Sequence, residues 1–155
     1  MISADVMKIL TEESNSFVQK VRGNITSTGT NATGKTSDSI RYEVTENGNK
    51  IILEFFGREY FATVETGRKP TPDKKPSRTM IENITEWVNA KGIPESAVWG
   101  IATNIQKQGT ALFRKGGRTD IYTDEAETFT DELFSAVTEQ IANEFFEKAT
   151  LSFER

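Results

Sequence analysis

Apolar side chains recur at helical spacing from the start of the chain, at Val6, Leu10, Phe17 and Val21, with Ile9 beside Leu10. This predicts a helix over about 3–22, N-capped by Ser3 or Asp5 and ended by Gly23. Residues 23–37 are almost entirely Gly, Asn, Thr and Ser and read as a long loop. Ile40, Tyr42 and Val44 then alternate with polar neighbours, as in a half-buried strand. Asn47-Gly48-Asn49 supplies turn chemistry, and Ile51, Leu53 and Phe55 alternate again. A third run, Tyr60 to Glu65, is read as another strand of an antiparallel meander.

Pro70, Pro72 and Pro76 keep 66–79 a second long loop. Helical spacing resumes at Met80, Ile84, Trp87 and Val88 and stops at Gly92. Pro94 opens another short helix carrying Val98, Ile101, Ala102 and Ile105 to Gly109. Phe129, Leu133, Val137, Ile141 and Phe145 then recur every four residues, predicting a long helix over about 124–149. Leu151-Ser152-Phe153 is left as a closing strand or a frayed end. Together these make one α+β domain over 1–155. It has an N-terminal helix, a three-to-four-stranded antiparallel sheet, two short helices and a long C-terminal helix packed on the sheet.

Composition narrows the chemistry. The chain of 155 residues has neither Cys nor His. That excludes disulfides, thiolate zinc, a Ser–His–Asp triad and an imidazole base. No catalytic residue, cofactor or metal ligand is assigned. A net charge of −4 argues against a protein whose main task is gripping nucleic acid. No apolar window reaches membrane-spanning length, and the N-terminus lacks the features of a signal peptide. The expectation is a soluble protein, intracellular at synthesis, without a membrane partner.

Gly29-Thr30-Asn31-Ala32-Thr33-Gly34-Lys35-Thr36 matches the phosphate-loop string G-x-x-x-x-G-K-[ST]. That string works only between a buried strand and a helix N-terminus. Here the preceding residues are polar and the following ones alternate as a strand, so the bland reading as loop is preferred. Asp124, Glu125, Glu127, Asp131 and Glu132 crowd the start of the last helix, where the helix dipole favours acids. Trp87, Trp99, Phe17, Phe129 and Phe145 sit beside aliphatics at helical positions and are read as core. Phe55, Phe56, Tyr60 and Phe61 exceed what one buried face needs. Their outward set is either a partner surface or the seat of a second covering layer.

Charge is segregated. Residues 66–118 hold ten basic side chains against four acids, a net +6, with Arg68, Lys69, Lys74, Lys75 and Arg78 in the proline-rich loop. Residues 122–149 hold eight acids and one base, a net −7. A head-to-tail contact between the basic face of one copy and the acidic helix of the next would neutralise both, and such contacts close into rings. The bland alternative is two solvated faces of a monomer.

The order of these pieces resembles the neck or tail-completion proteins of tailed bacteriophages, which join head to tail. Gly34-Lys35-Thr36-Ser37-Asp38-Ser39-Ile40 is similar to the family's G-x-[LT]-x-x-S-I lead into its first strand. Tyr60 to Gly67 resembles its Y-A-x-x-V-E-x-G-T strand and loop. Ile84 to Ile93, followed by Ile101 to Thr110, resembles its I-x-x-W-V-x-x-K-G-I … A-x-x-I-x-x-x-G-T block. The family's aromatic–Pro motif before the last helix is replaced by Phe113 to Arg118.

The resemblance implies a non-enzymatic virion subunit. It would form a six- or twelve-fold homo-oligomeric ring at the head–tail junction, assembled in the bacterial host cytoplasm. Portal or connector and tail proteins would be its neighbours, and DNA would pass through the lumen without sequence-specific binding. The subunit or partner interface is expected at Arg68, Lys69, Lys74, Lys75, Arg78, Phe56, Phe61, Asp124, Glu125, Asp131 and Glu132. Two rivals stay open: a monomeric protein-binding module using the aromatic strand, and a phosphate-loop NTPase using Gly29–Thr36.

Overall fold

The structure is a computed structural model and describes residues 2–30, 33–48 and 50–153. Helix α1 (Ala4–Ser27) is capped by Ser3, whose Oγ accepts from the Val6 amide at 3.2 Å. It does not end at Gly23. Ile25 continues the stripe of Val18 and Val21 and is fully buried with them. Burying that side chain is worth about 1.5–3 kcal/mol, which outweighs the roughly 1 kcal/mol a helical glycine costs. The expected loop 23–37 is thus shortened at both ends, because the short helix α2 (Lys35–Asp38) follows. Arg22 holds that connection: Nε donates to the Ser37 carbonyl at 3.1 Å and Nη2 to the Ile40 carbonyl at 2.7 Å.

Strands β1 (Arg41–Asn47) and β2 (Lys50–Phe56) pair antiparallel, with Tyr42 opposite Phe55 and Val44 opposite Leu53. Gly48 turns between them with φ +62°, while Asn49 lies outside the described residues. Among the described residues the sheet has two strands, not three or four. The run expected as a third strand is a turn leading into helix α3 (Thr63–Thr66). Phe61 and Val64, three residues apart, both pack against the first core cluster; a strand would send them to opposite faces.

Helices α4 (Arg78–Lys91) and α5 (Val98–Gln108), linked through a 3₁₀ turn at Glu95–Ala97, form a hairpin around Met80, Ile84, Val88, Val98 and Ala102. Helix α4 is capped by Ser77 and closed by Gly92 in the left-handed conformation. Helix α6 (Ala111–Arg114) and the long helix α7 (Thr123–Phe153) follow. Residues 151–153 continue α7 and form no closing strand.

The long helix packs mainly along α1 rather than on the sheet. Ser3 meets Glu144, Lys20 meets Glu132 and Asn24 meets Glu125, so the two helices run antiparallel. The sheet touches this pair through Phe55, whose ring lies 4.7 Å from Phe17 and 5.5 Å from Phe129. Trp99, Phe145 and Trp87, expected in the core, are 63%, 69% and 40% exposed.

Ser14 is fully buried in α1, and its Oγ is the one buried side-chain oxygen without a hydrogen-bond partner among the described residues. Ser14→Ala removes an uncompensated hydroxyl and improves helix propensity. The substitution is expected to raise stability by up to about 1 kcal/mol, read from the urea midpoint. A loss of that size instead would mean the hydroxyl is bonded.

Candidate functional site

Two stretches distant in sequence, 57–77 and 109–123, brace one another. The Arg68 amide donates to Thr110 Oγ1 at 3.0 Å, the Thr110 amide returns to the Arg68 carbonyl at 3.0 Å, and the Arg118 amide reaches the Glu65 carbonyl at 2.9 Å. Glu65 is the centre of the brace. Only 2% of it is exposed, yet it carries a carboxylate. Oε1 accepts from the amides of Ile121 (3.0 Å), Tyr122 (2.6 Å) and Thr123 (3.0 Å), and Oε2 accepts from the Thr123 hydroxyl. These donors lie at and just before the first residue of α7, Thr123, so α3 supplies an anion at the N-terminus of the long helix.

Burial is the largest single influence on that carboxyl and pushes its pKa up. The hydrogen bonds from Thr123, Tyr122 and Ile121 together outweigh burial and hold the group below its ordinary value. The neighbouring Tyr122 hydroxyl is pushed up by its own burial and then by the Glu65 charge.

Beside the brace opens a groove of about 780 Å³ between 58–71 and α4. Val64, Met80, Ile84 and Ile105 give it apolar surface. Tyr60 and Trp87 also line it, although each is about half exposed, at 51% and 40%. Arg58, Arg68 and Lys69 bring positive charge, while the groove's acid, Glu86, is paired with Lys35 at 2.6 Å. An apolar surface with exposed aromatics and surplus cations suits a ligand that is itself apolar and acidic.

The expected interface residues fall into three settings. Lys69, Lys74, Lys75 and Arg78 are exposed and Arg68 is half-buried. The loop's backbone is tied to α5, since the Thr71 amide donates to the Gln106 carbonyl at 2.8 Å and Gln106 Nε2 to the Lys75 carbonyl at 3.2 Å. Phe61 is not on the outward surface; its ring packs 5.0 Å from Tyr122. Phe56 is half-buried beneath the Arg41 guanidinium at 4.7 Å.

Among the acids, Glu125 and Glu132 face α1 through Asn24 and Lys20, whereas Asp124 and Asp131 are exposed. No ion pair joins the basic loop to the acidic helix among the described residues. Nor do His, Cys, Asp or Glu side chains gather there as a metal-ligand set.

No family model, curated protein or solved structure matches the chain. Function is therefore read from the residues themselves. The Gly29–Thr36 string follows helix α1 rather than a strand, and Lys35 is occupied by Glu86, so the strand–loop–helix geometry of a phosphate loop is missing around its described residues. Asn31 and Ala32 lie outside the described residues.

Sequence reasoning passed over Glu65 and the groove. The available signal was an acid directly after the mostly apolar run Phe61-Ala62-Thr63-Val64, followed by Thr66-Gly67.

Proposed function

We propose that this protein is a structural subunit of a tailed-bacteriophage virion, forming a six- or twelve-fold ring at the head–tail junction through which DNA passes. The carrying observation is the uncovered apolar surface of α7. Phe134, Ile141, Phe145 and Phe146 are 75%, 54%, 69% and 67% exposed on a helix that is otherwise strongly acidic. Large side chains exposed in such number mark an interaction surface. The opposite charge of residues 66–118 makes another copy of the same chain the complementary partner.

The resemblance of Gly34–Ile40, Tyr60–Gly67 and Ile84–Thr110 to neck proteins supplies the setting, including portal or connector and tail proteins as neighbours. Assembly in the host cytoplasm accords with the absence, among the described residues, of a helix long and apolar enough to cross a membrane. The exposed Lys69, Lys74, Lys75 and Arg78 then meet a neighbouring subunit or ring, or face DNA in the channel.

Light scattering at low and physiological salt, followed by negative-stain imaging, tests the reading. Closed rings whose mass falls as salt rises are the expected result. A monomer at every salt and concentration would overturn ring formation by the chain alone. It would favour the second reading, a monomeric binding module, for which the groove with Tyr60 and Trp87 is the specific support.

A further inference from the structure

Resting on the ring reading, we propose which surfaces meet: the distal end of α7, residues 139–150, docks in the groove between 58–71 and α4 of the next copy. Helix α7 has 31 residues and α1 has 24, spanning about 46 and 36 Å. Because Ser3 at the start of α1 already meets Glu144, the turns of α7 after residue 144 run past the end of their antiparallel partner. Phe134, Ile141 and Phe145 share one exposed stripe at spacings of seven and four. Phe146 joins that stripe edge-on, its ring centroid 6.0 Å from that of Phe145. The arm is thus apolar, exposed and helical before any partner arrives, so little ordering entropy opposes docking.

The groove matches it in chemistry. Tyr60 and Trp87 offer exposed aromatic surface to the arm's phenylalanines, and Arg58, Arg68 and Lys69 offer charge to Glu139 and Glu147, both exposed. Glu144 is already committed to Ser3 and Gln140, whose hydrogen bonds hold its carboxyl below the ordinary value. Near the start of α7, Glu125 and Glu132 are engaged with α1 while Asp124, Glu127 and Asp131 are exposed. Beside the arm's phenylalanines the exposed acids are Glu139 and Glu147, with the base Lys148 next to Glu147. Arm and groove are different surfaces, so each copy gives one and receives one. Such a heterologous contact propagates head to tail and closes when the rotation allows.

The absence of cysteine makes the test direct. Ala142→Cys in one preparation and Asn83→Cys in another are mixed and joined with a short bismaleimide; Asn83 lines the groove and both positions are exposed. The mixed dimer should exceed by about tenfold that formed when Glu43→Cys on the exposed face of β1 replaces Asn83→Cys, because docking raises the local thiol concentration. Phe145→Asp with Phe146→Asp, both at exposed positions, should abolish the excess and lower the mass seen by light scattering.

Rings that form normally, with no excess of the mixed dimer and no effect of the aspartates, would overturn the docking while leaving the ring reading intact. A protein that stays monomeric and gives no excess would overturn both. In a third preparation with both cysteines on the same chain, linkage confined within single chains would mean that each arm fills its own groove, and would equally overturn the proposal.

Discussion

Glu65→Ala is expected to be among the most damaging single changes in this protein, lowering stability by about 3–5 kcal/mol. The carboxylate accepts four hydrogen bonds at the start of α7, from the amides of Ile121, Tyr122 and Thr123 and from the Thr123 hydroxyl. Alanine leaves those donors without their acceptor, in a place where Ile121 is fully buried, and removes the negative charge from the N-terminus of a 31-residue helix. Glu65→Gln keeps one carbonyl acceptor but sets an amide donor among donors, so an intermediate loss of about 1–3 kcal/mol is expected. Urea unfolding of the three proteins provides the measurement. A loss below about 1 kcal/mol for alanine would show that Glu65 does not hold α7.

The same carboxylate sets a pH dependence whose sign is defined. Its folded pKa lies below the ordinary 4.5, so the unfolded chain binds the proton more readily. Its contribution is fully present above 4.5 and is lost as pH falls through the lower folded value. The stability gap between wild type and Glu65→Gln should therefore narrow as pH drops below that range. Other carboxylates titrate there in both proteins, and the difference between the two isolates Glu65.

Gly67→Ala is expected to cost about 3 kcal/mol or more, lowering the Tm by roughly 10 °C. Gly67 follows α3 with φ +69° and ψ 173°, a conformation essentially confined to glycine. A Cβ there would lie 2.3 Å from the Phe113 amide nitrogen and 2.8 Å from the Phe113 Cα, both backbone atoms in the α6 segment. Neither strain nor clash is relieved by turning a side chain, so the brace between 57–77 and 109–123 must open. Calorimetry would show it. A Tm within about 2 °C of wild type would mean that the two stretches do not pack as described.

Much of the secondary structure was legible because its causes are local. Gly92 ends α4, Pro94 and Gly109 bound the following helical segment, and Tyr42, Val44, Leu53 and Phe55 alternate through the hairpin that Gly48 turns. Each signal lies within a few residues of the structure it specifies. Where local and distant causes disagreed, the local reading failed. Gly23 is a helix stop by propensity, but burial of Ile25 carries α1 onward to Ser27. Tyr60 to Glu65 resembles a strand by composition, but Phe61 and Val64 have a common packing partner and Glu65 has a helix to cap.

The candidate site was legible in its charges and not in its shape. Segregation of +6 over 66–118 and −7 over 122–149 is visible in the residue order. Which acids remain free is not, because Lys20 and Asn24 on α1 engage Glu132 and Glu125. Nor does periodicity tell a core phenylalanine from an uncovered one: Phe129 and Phe145 share the same four-residue spacing, yet only Phe129 lies where α1 and the sheet converge. The sequence by itself determined the α+β class, the caps, the hairpin and the sign of each surface, since those depend on neighbours along the chain. Tertiary structure alone decided the Glu65 cap, the groove and the exposed end of α7. Each depends on residues brought together from far apart, Glu65 and Thr123 being separated by 58 positions, and on the length by which one helix outruns its partner.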